Sequence, residues 1–186
     1  MILESIVTTR DESGAINLTP MGPEVDRELK RFTLKPFADS KTCANLSAHP
    51  IAVVHVCEDV SLFARSALND LSEDEVASLC VEAEHGSARL RRCHRYFVLA
   101  VDRVFEDELR PRFVMQVLCS GEVDPCFGFN RARFAVLEAT ILMTRRHLIS
   151  RDDIVAEFDR LQVLIDKTGS DIEHETINWM RAKLDA

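Results

Sequence analysis

The 186-residue sequence lacks the usual fingerprints of nucleotide chemistry. It contains no GxGxxG, P-loop, HExxH or GxSxG. Rossmann-type dinucleotide binding and P-loop hydrolysis therefore have no support. No two cysteines form a CxxC, and no cysteine–histidine pair has zinc spacing, so no metal site is expected. The six cysteines read as small core residues of a reducing compartment. Basic runs are missing and the net charge is -8, which argues against nucleic acid and anionic membrane as partners. The longest apolar runs, "IAVVHVC" and "FAVLEATILM", are too short to span a bilayer. The opening "MILESIVTTR" lacks the order of a signal peptide, and a cytoplasmic protein is expected. No internal repeat or low-complexity segment is visible.

What is present falls into two halves. The first is strand-rich. "LESIVTTR", the turn "DESG" and "AINLTPMG" predict a hairpin. "RFTLKPF" is extended until Pro36, and the β-branched run "IAVVHVC" predicts a strand buried on both faces. "VSLFARSALNDL" has helical spacing, with Asp59, Ser61 or Asp70 as its cap. "SEDEVASLCVEAEHGS" reads as a short acidic helix or a loop. "RCHRYFVLAVDRVFED" and "PRFVMQVLCSGEV" predict a long antiparallel hairpin. After Gly128 the pattern is helical. One apolar helix begins at Asn130 and runs past His147. A second is capped by Ser150, carries the stripe Ile154, Phe158, Leu161 and Ile165, and is stopped by Gly169. A third turns Ile172, Ile177, Met180 and Leu184 inward. Strands first and helices last give an α+β class, a mainly antiparallel barrel with an appended helical segment.

Three stretches carry more chemistry than their elements require. In "SKTCANL", Ser40, Lys41 and Thr42 offer two hydroxyls, an ammonium and successive backbone N–H groups, the donors a phosphate needs. Read alone, a capped turn explains the segment more economically, and Lys35 alone is a surface lysine. In "NLTPMGP", a proline inside a strand demands an edge or a bulge and frees neighbouring backbone groups. Read alone, this is a strand end before a turn. In "FGFNRARF", Asn130 is a fair N-cap, while Arg131 and Arg133 oppose the helix dipole. An acidic or phosphate partner explains them, and an internal salt bridge explains them better. His55, alone in an apolar strand, reads as a hydrogen-bonded core histidine rather than a ligand.

Taken together, "GAINLTPMGP", "LKPFADSKTCANL" and "PIAVVHVCEDVSLFARSAL" resemble the flavin reductase-like, FMN-binding split-barrel proteins. More closely, with "FGFNRARFAVLEATILMTRRHLI" and the late "KTG", the chain resembles the domain of unknown function 447 family from about Met1 to Gly169. The resemblance implies an antiparallel, six-stranded split β-barrel of the FMN-binding type with C-terminal helices. It implies a homodimer with FMN at the interface. The corresponding organisation is an FMN-binding domain over 1–128 and a helical segment over 129–186 packed on it. Ser40, Lys41 and Thr42 match the phosphate-binding segment, and Asn45 the asparagine that follows it. Asn17, Thr19, Pro20 and Met21 match the strand facing the isoalloxazine edge. Lys35, Phe37, Asn130 and Arg131 complete the expected cofactor-binding set, the last two touching either flavin or the other subunit. With one Trp and one Tyr, aromatic sandwiching of a flavin is not demanded. No catalytic residue is identified. The implied function is an oxidoreductase in which FMN carries the electrons from a nicotinamide or deazaflavin donor. The alternatives are a non-catalytic FMN carrier or sensor, and a structural dimer without cofactor.

Overall fold

The first hairpin folds around the turn its sequence marks. Asp11 accepts hydrogen bonds from Ser13 N, Ser13 Oγ and Ala15 N, and Gly14 takes a φ of +86° that favours glycine. A computed structural model describes residues 1–185. In chain order the elements are β1 (Ser5–Arg10), β2 (Ile16–Met21), β3 (Glu24–Val25), β4 (Arg31–Leu34), α1 (Lys41–Ala48) and β5 (Ile51–Val56). Next come α2 (Val60–Ala67), α3 (Glu73–Leu79), β6 (Cys80–Glu82), β7 (Ala88–Leu90), β8 (Arg95–Phe105) and β9 (Arg112–Glu122). The last are α4 (Arg131–Thr144), α5 (Arg151–Thr168) and α6 (Asp171–Asp185). Two compact units result: Met1–Cys57 with Leu71–Cys126, and Glu58–Asp70 with the chain from Phe127 onward.

The first unit is an antiparallel sheet of seven strands, ordered β2-β1-β5-β8-β9-β4-β3. The resemblance implied six. The residues just ahead of β1 bond back to the far strand: Leu3 N donates to Pro23 O at 3.0 Å and Val25 N to Met1 O at 2.8 Å. That return draws the two ends of the sheet together, as a barrel requires. β5 is buried along four consecutive residues, because both of its faces are covered. Inside lie Val7, Phe32, Leu34, Val54, Phe97 and Met115, with Phe32 and Phe97 tilted at a centroid separation of 5.0 Å. The segment read as helix or loop is more elaborate. α3 has a full capping box between Ser72 and Glu75, then runs straight into a β6–β7 hairpin. His55 anchors that hairpin to the sheet. Its Nδ1 donates to Ile6 O at 2.9 Å, and its Nε2 accepts from Leu90 N at 3.1 Å. Burial pushes its pKa down to about 4, so the ring is neutral, a core histidine as the sequence indicated.

The second unit is helical. Ala132, Ala135 and Ala139 of α4 are fully buried, and such small side chains let helices approach closely. The α5 stripe Ile154, Phe158, Leu161 and Ile165 is buried as expected. Gly169 ends α5 for a steric reason: a Cβ there would lie 2.7 Å from Ile165 O. Two expectations are corrected. α4 stops at Thr144, where Arg145 N bonds to Leu142 O in a tightened last turn, so His147 lies beyond the helix. Ile172 is 55% exposed, and Glu173 and Thr176 turn inward instead. Glu173 binds Ser170 N at 2.8 Å and Ser170 Oγ at 2.6 Å, which fixes the helix start with the acid inside. Among the described residues no helix is long and apolar enough to cross a membrane.

Candidate functional site

α1 opens on Ser40, an extended residue whose Oγ accepts from Cys43 N at 3.2 Å and donates to Phe37 O at 2.6 Å. Ser40 is thus a genuine N-cap. The cap satisfies one orphan donor. The N–H groups of Lys41 and Thr42 have no acceptor among the described residues. The Lys41 side chain is exposed beside them. This end of the helix combines a positive dipole end with one free ammonium.

The helix is held in place by neutral polar side chains. Asn17 Nδ2, on β2, donates to Thr42 Oγ1 at 3.0 Å. Asn45 Nδ2 donates to Thr9 Oγ1 at 3.0 Å, and Asn17 Nδ2 reaches the same Thr9 oxygen at 3.5 Å. Thr9, Thr42 and Asn45 are at most 6% exposed, so these bonds form where an unpaired group would be costly. Asn17 of β2 and the α1 residues Thr42 and Asn45 are therefore tied together, Thr9 accepting from Asn17 and Asn45, and Asn17 donating to Thr42. Sequence reasoning missed Thr9, because a threonine on a strand is unremarkable by itself.

The neighbouring predicted residues follow. β2 is an edge strand of the seven-stranded sheet, which is how Pro20 is tolerated. Thr19 and Pro20 are half-buried, and Met21 packs against the barrel core. Lys35 is ion-paired with Glu24 across the β3–β4 end, and that lysine holds the Glu24 carboxyl below its usual range. Phe37 is half exposed, with the Arg110 guanidinium 4.2 Å from its ring centroid. Cys43 is buried, and burial, with Glu106 nearby, raises its thiol pKa. It is not an activated nucleophile.

Asn130 and Arg131 belong to the second unit. Asn130 caps α4 through Ala132 N at 2.8 Å and Arg133 N at 3.2 Å, and donates its own amide to Thr168 O at 3.0 Å. Its polar atoms are spent on the α4–α5 junction. Arg131 is exposed. Arg133 takes the salt-bridge reading: it pairs with Glu58 and lies 3.5 Å from Glu173. Burial raises the Glu173 carboxyl, but the Ser170 hydrogen bonds and Arg133 outweigh it and leave the pKa lowered.

A cleft of about 450 Å³ opens in the first unit between the β1–β2 turn and the β6–β7 turn, lined by Arg10, His49, His85 and Ser87 among others. It shares Thr9 with the α1 brace and contains none of the predicted cofactor-binding residues.

A family model described as the N-terminal domain of a protein of unknown function, DUF447, matches residues 3–124, and its C-terminal counterpart matches residues 130–182. The chain belongs to the DUF447 family. A solved structure of the same family, an FMN-bound protein from Methanosarcina mazei, is similar over 97% of this chain and 94% of its own, with 24% identity and a TM-score of 0.80. An FMN-binding protein from Thermus thermophilus with bound 1-cyclohex-2-enone is similar over 64% of this chain and 70% of its own, at 15% identity and a TM-score of 0.52. An NADH:FAD oxidoreductase from Streptomyces globisporus is similar over 66% and 71%, at 16% identity and a TM-score of 0.53. A comparison with curated proteins finds no match. At these identities the likenesses concern the fold: an antiparallel split β-barrel with C-terminal helices in a DUF447 chain.

Proposed function

We propose that this DUF447 protein binds FMN with the start of α1 as its phosphate cradle, at a homodimer interface, and acts as an oxidoreductase. The observation that carries the reading is the α1 N-terminus. It presents two unspent N–H groups and the free Lys41 ammonium, and a four-residue brace, buried except at the half-buried Asn17, keeps it fixed. The FMN-bound state of the Methanosarcina mazei relative, similar across nearly the whole chain, supports the same ligand.

The roles expected on sequence grounds divide accordingly. Lys41 and the Lys41 and Thr42 N–H groups hold phosphate, and Ser40 shapes the turn. Asn17 and Asn45 act as positioning residues through Thr9, and Thr42 through Asn17. Thr19, Pro20 and Met21 border the isoalloxazine from the edge strand, and Lys35 and Phe37 flank it. Asn130 fixes the helical segment, and Arg131 is free to meet the flavin or the partner subunit. FMN supplies the hydride and electron chemistry when bound; the chain binds and orients it. The working organisation is an FMN-binding domain over 1–128 with the helical segment 129–186.

Flavin titration with FMN and riboflavin tests the reading. The wild type should prefer FMN, and Lys41→Ala should cut that preference by about tenfold. Equal affinity for both flavins in the wild type would remove the cradle. Reduction of the bound flavin by NADH, NADPH or a reduced deazaflavin, with turnover on an added acceptor, separates an enzyme from a carrier.

A further inference from the structure

The β8–β9 tip holds charges that the α1 cradle does not use. Arg103 and Arg112 lie 5.9 and 4.9 Å from the Phe105 ring centroid, and Arg110 lies 4.2 Å from that of Phe37. None of the three guanidiniums makes a hydrogen bond or ion pair among the described residues, in a chain with 31 carboxylate side chains. The local acids are already committed. Glu24 is held by Lys35, and Asp107 accepts from Leu109 N at 3.0 Å and Arg110 N at 2.7 Å; Arg112 adds only a minor through-space attraction to each carboxylate. Glu106 sits near enough to Cys43 to influence its thiol. Glu108 and Asp39 are exposed and engage none of the three arginines.

The geometry is fixed by backbone. Phe105 is paired with Arg112 and Arg103 with Val114, so the Phe105 ring and both arginines share one face of the hairpin. Ala38 N donates to Leu109 O at 3.0 Å, which fastens the tip turn to the residues leading into α1. Each guanidinium lies within cation–π reach of a ring, and its N–H groups remain available to an anion. A stacked guanidinium also loses little freedom on binding, and its planar fork matches phosphate oxygens.

We propose that Arg103, Arg110 and Arg112 form an anion platform that receives an organic phosphate group of a nucleotide bound beside α1. The identity of the nucleotide rests on the flavin reading, whereas the anion chemistry does not. Two sources share that chemistry: the 5′-phosphate of FMN itself, and a phosphate of a dinucleotide electron donor.

Calorimetric titration with inorganic pyrophosphate decides the platform, comparing wild type with R103Q/R110Q/R112Q and with R110Q alone. The wild type should bind saturably, and the triple variant about tenfold or more weaker, with R110Q between them. Thermal melts should be unchanged, because all three side chains are exposed. Equal pyrophosphate binding by wild type and triple variant overturns the proposal. Two further arms assign the source. Loss of the FMN-over-riboflavin preference in the triple variant places the flavin phosphate on the platform. Retention of that preference with loss of an NADPH-over-NADH preference places the donor there; retention of both preferences also overturns the proposal. A wild type that takes up no flavin would refute the functional reading, and the pyrophosphate result would still decide the platform.

Discussion

The barrel unit and the helical unit solve the same problem with different chemistry. Each must hold a helix N-terminus against its surroundings with buried and half-buried polar groups. The barrel does so with uncharged side chains, Thr9, Asn17, Thr42 and Asn45, and stitches its β6–β7 hairpin with a neutral histidine. The helical unit adds charge to its neutral Asn130 cap: Arg133 pairs with Glu58 and lies 3.5 Å from Glu173, which accepts from Ser170. Neutral braces need no counter-ion, so the brace itself adds no anion beside the start of α1. That suits a cradle in a protein of net charge -8.

The comparison can be broken hardest at the two cores. Phe97→Ala and Phe158→Ala each empty a fully buried site and should cost ~3–5 kcal/mol. Phe158→Ala should be seen first by Trp179, the single tryptophan, which packs on the helical core. Phe97→Ala should first raise hydrogen exchange along β5, β8 and β9. Coincident loss in both readouts for both variants would mean that the units unfold together.

Acid sharpens the contrast. His55 has a folded pKa lowered from 6.5 to about 4, so between those values the unfolded chain binds the proton more readily. The barrel should lose ~3 kcal/mol as pH falls through that window. Glu173 is held below its ordinary 4.5, so its contribution is present above pH 4.5 and disappears as pH falls through the lower folded value. Denaturant melts from pH 7.5 to 4.5 should therefore weaken sheet protection while the Trp179 transition is unaffected by these two groups. His55→Gln should flatten the sheet's pH slope; an unchanged slope would assign it to other groups.

The smaller effects lie in the braces. Glu173→Gln should cost ~1–3 kcal/mol in the helical unit, since it discharges a buried carboxylate beside Arg133. Thr42→Val keeps the shape of the side chain but removes the acceptor for Asn17, at ~1 kcal/mol, and should loosen α1. Lys41→Ala should leave the melting temperature in place and weaken FMN alone, which separates holding the ligand from holding the helix.

Most elements were legible because their signals are local. The Asp11–Gly14 turn, Pro20 at an edge, the apolar run of β5 and the Ser150 cap each announce themselves within a few residues. The β6–β7 hairpin did not. Its strands are three residues long, its turn uses His85 at a φ of +59° rather than a typical turn pair, and β6 follows α3 without a break. Ile172 was misplaced because periodicity counts apolar residues and takes no account of Glu173 being drawn inward by Ser170. In the site, the donors around Ser40 and Lys41 were legible as a cluster. Thr9 and the Arg110–Phe37 stack were not, since both depend on contacts between residues more than thirty positions apart.

The visible absorption spectrum of the purified protein, with mass identification of any released chromophore, decides whether the protein holds FMN. The expected result is a yellow protein that releases FMN, or a colourless one that turns yellow and gains thermal stability when FMN is added. A protein that is colourless, with no spectral or thermal response to FMN, would contradict it and leave the start of α1 as a capped turn.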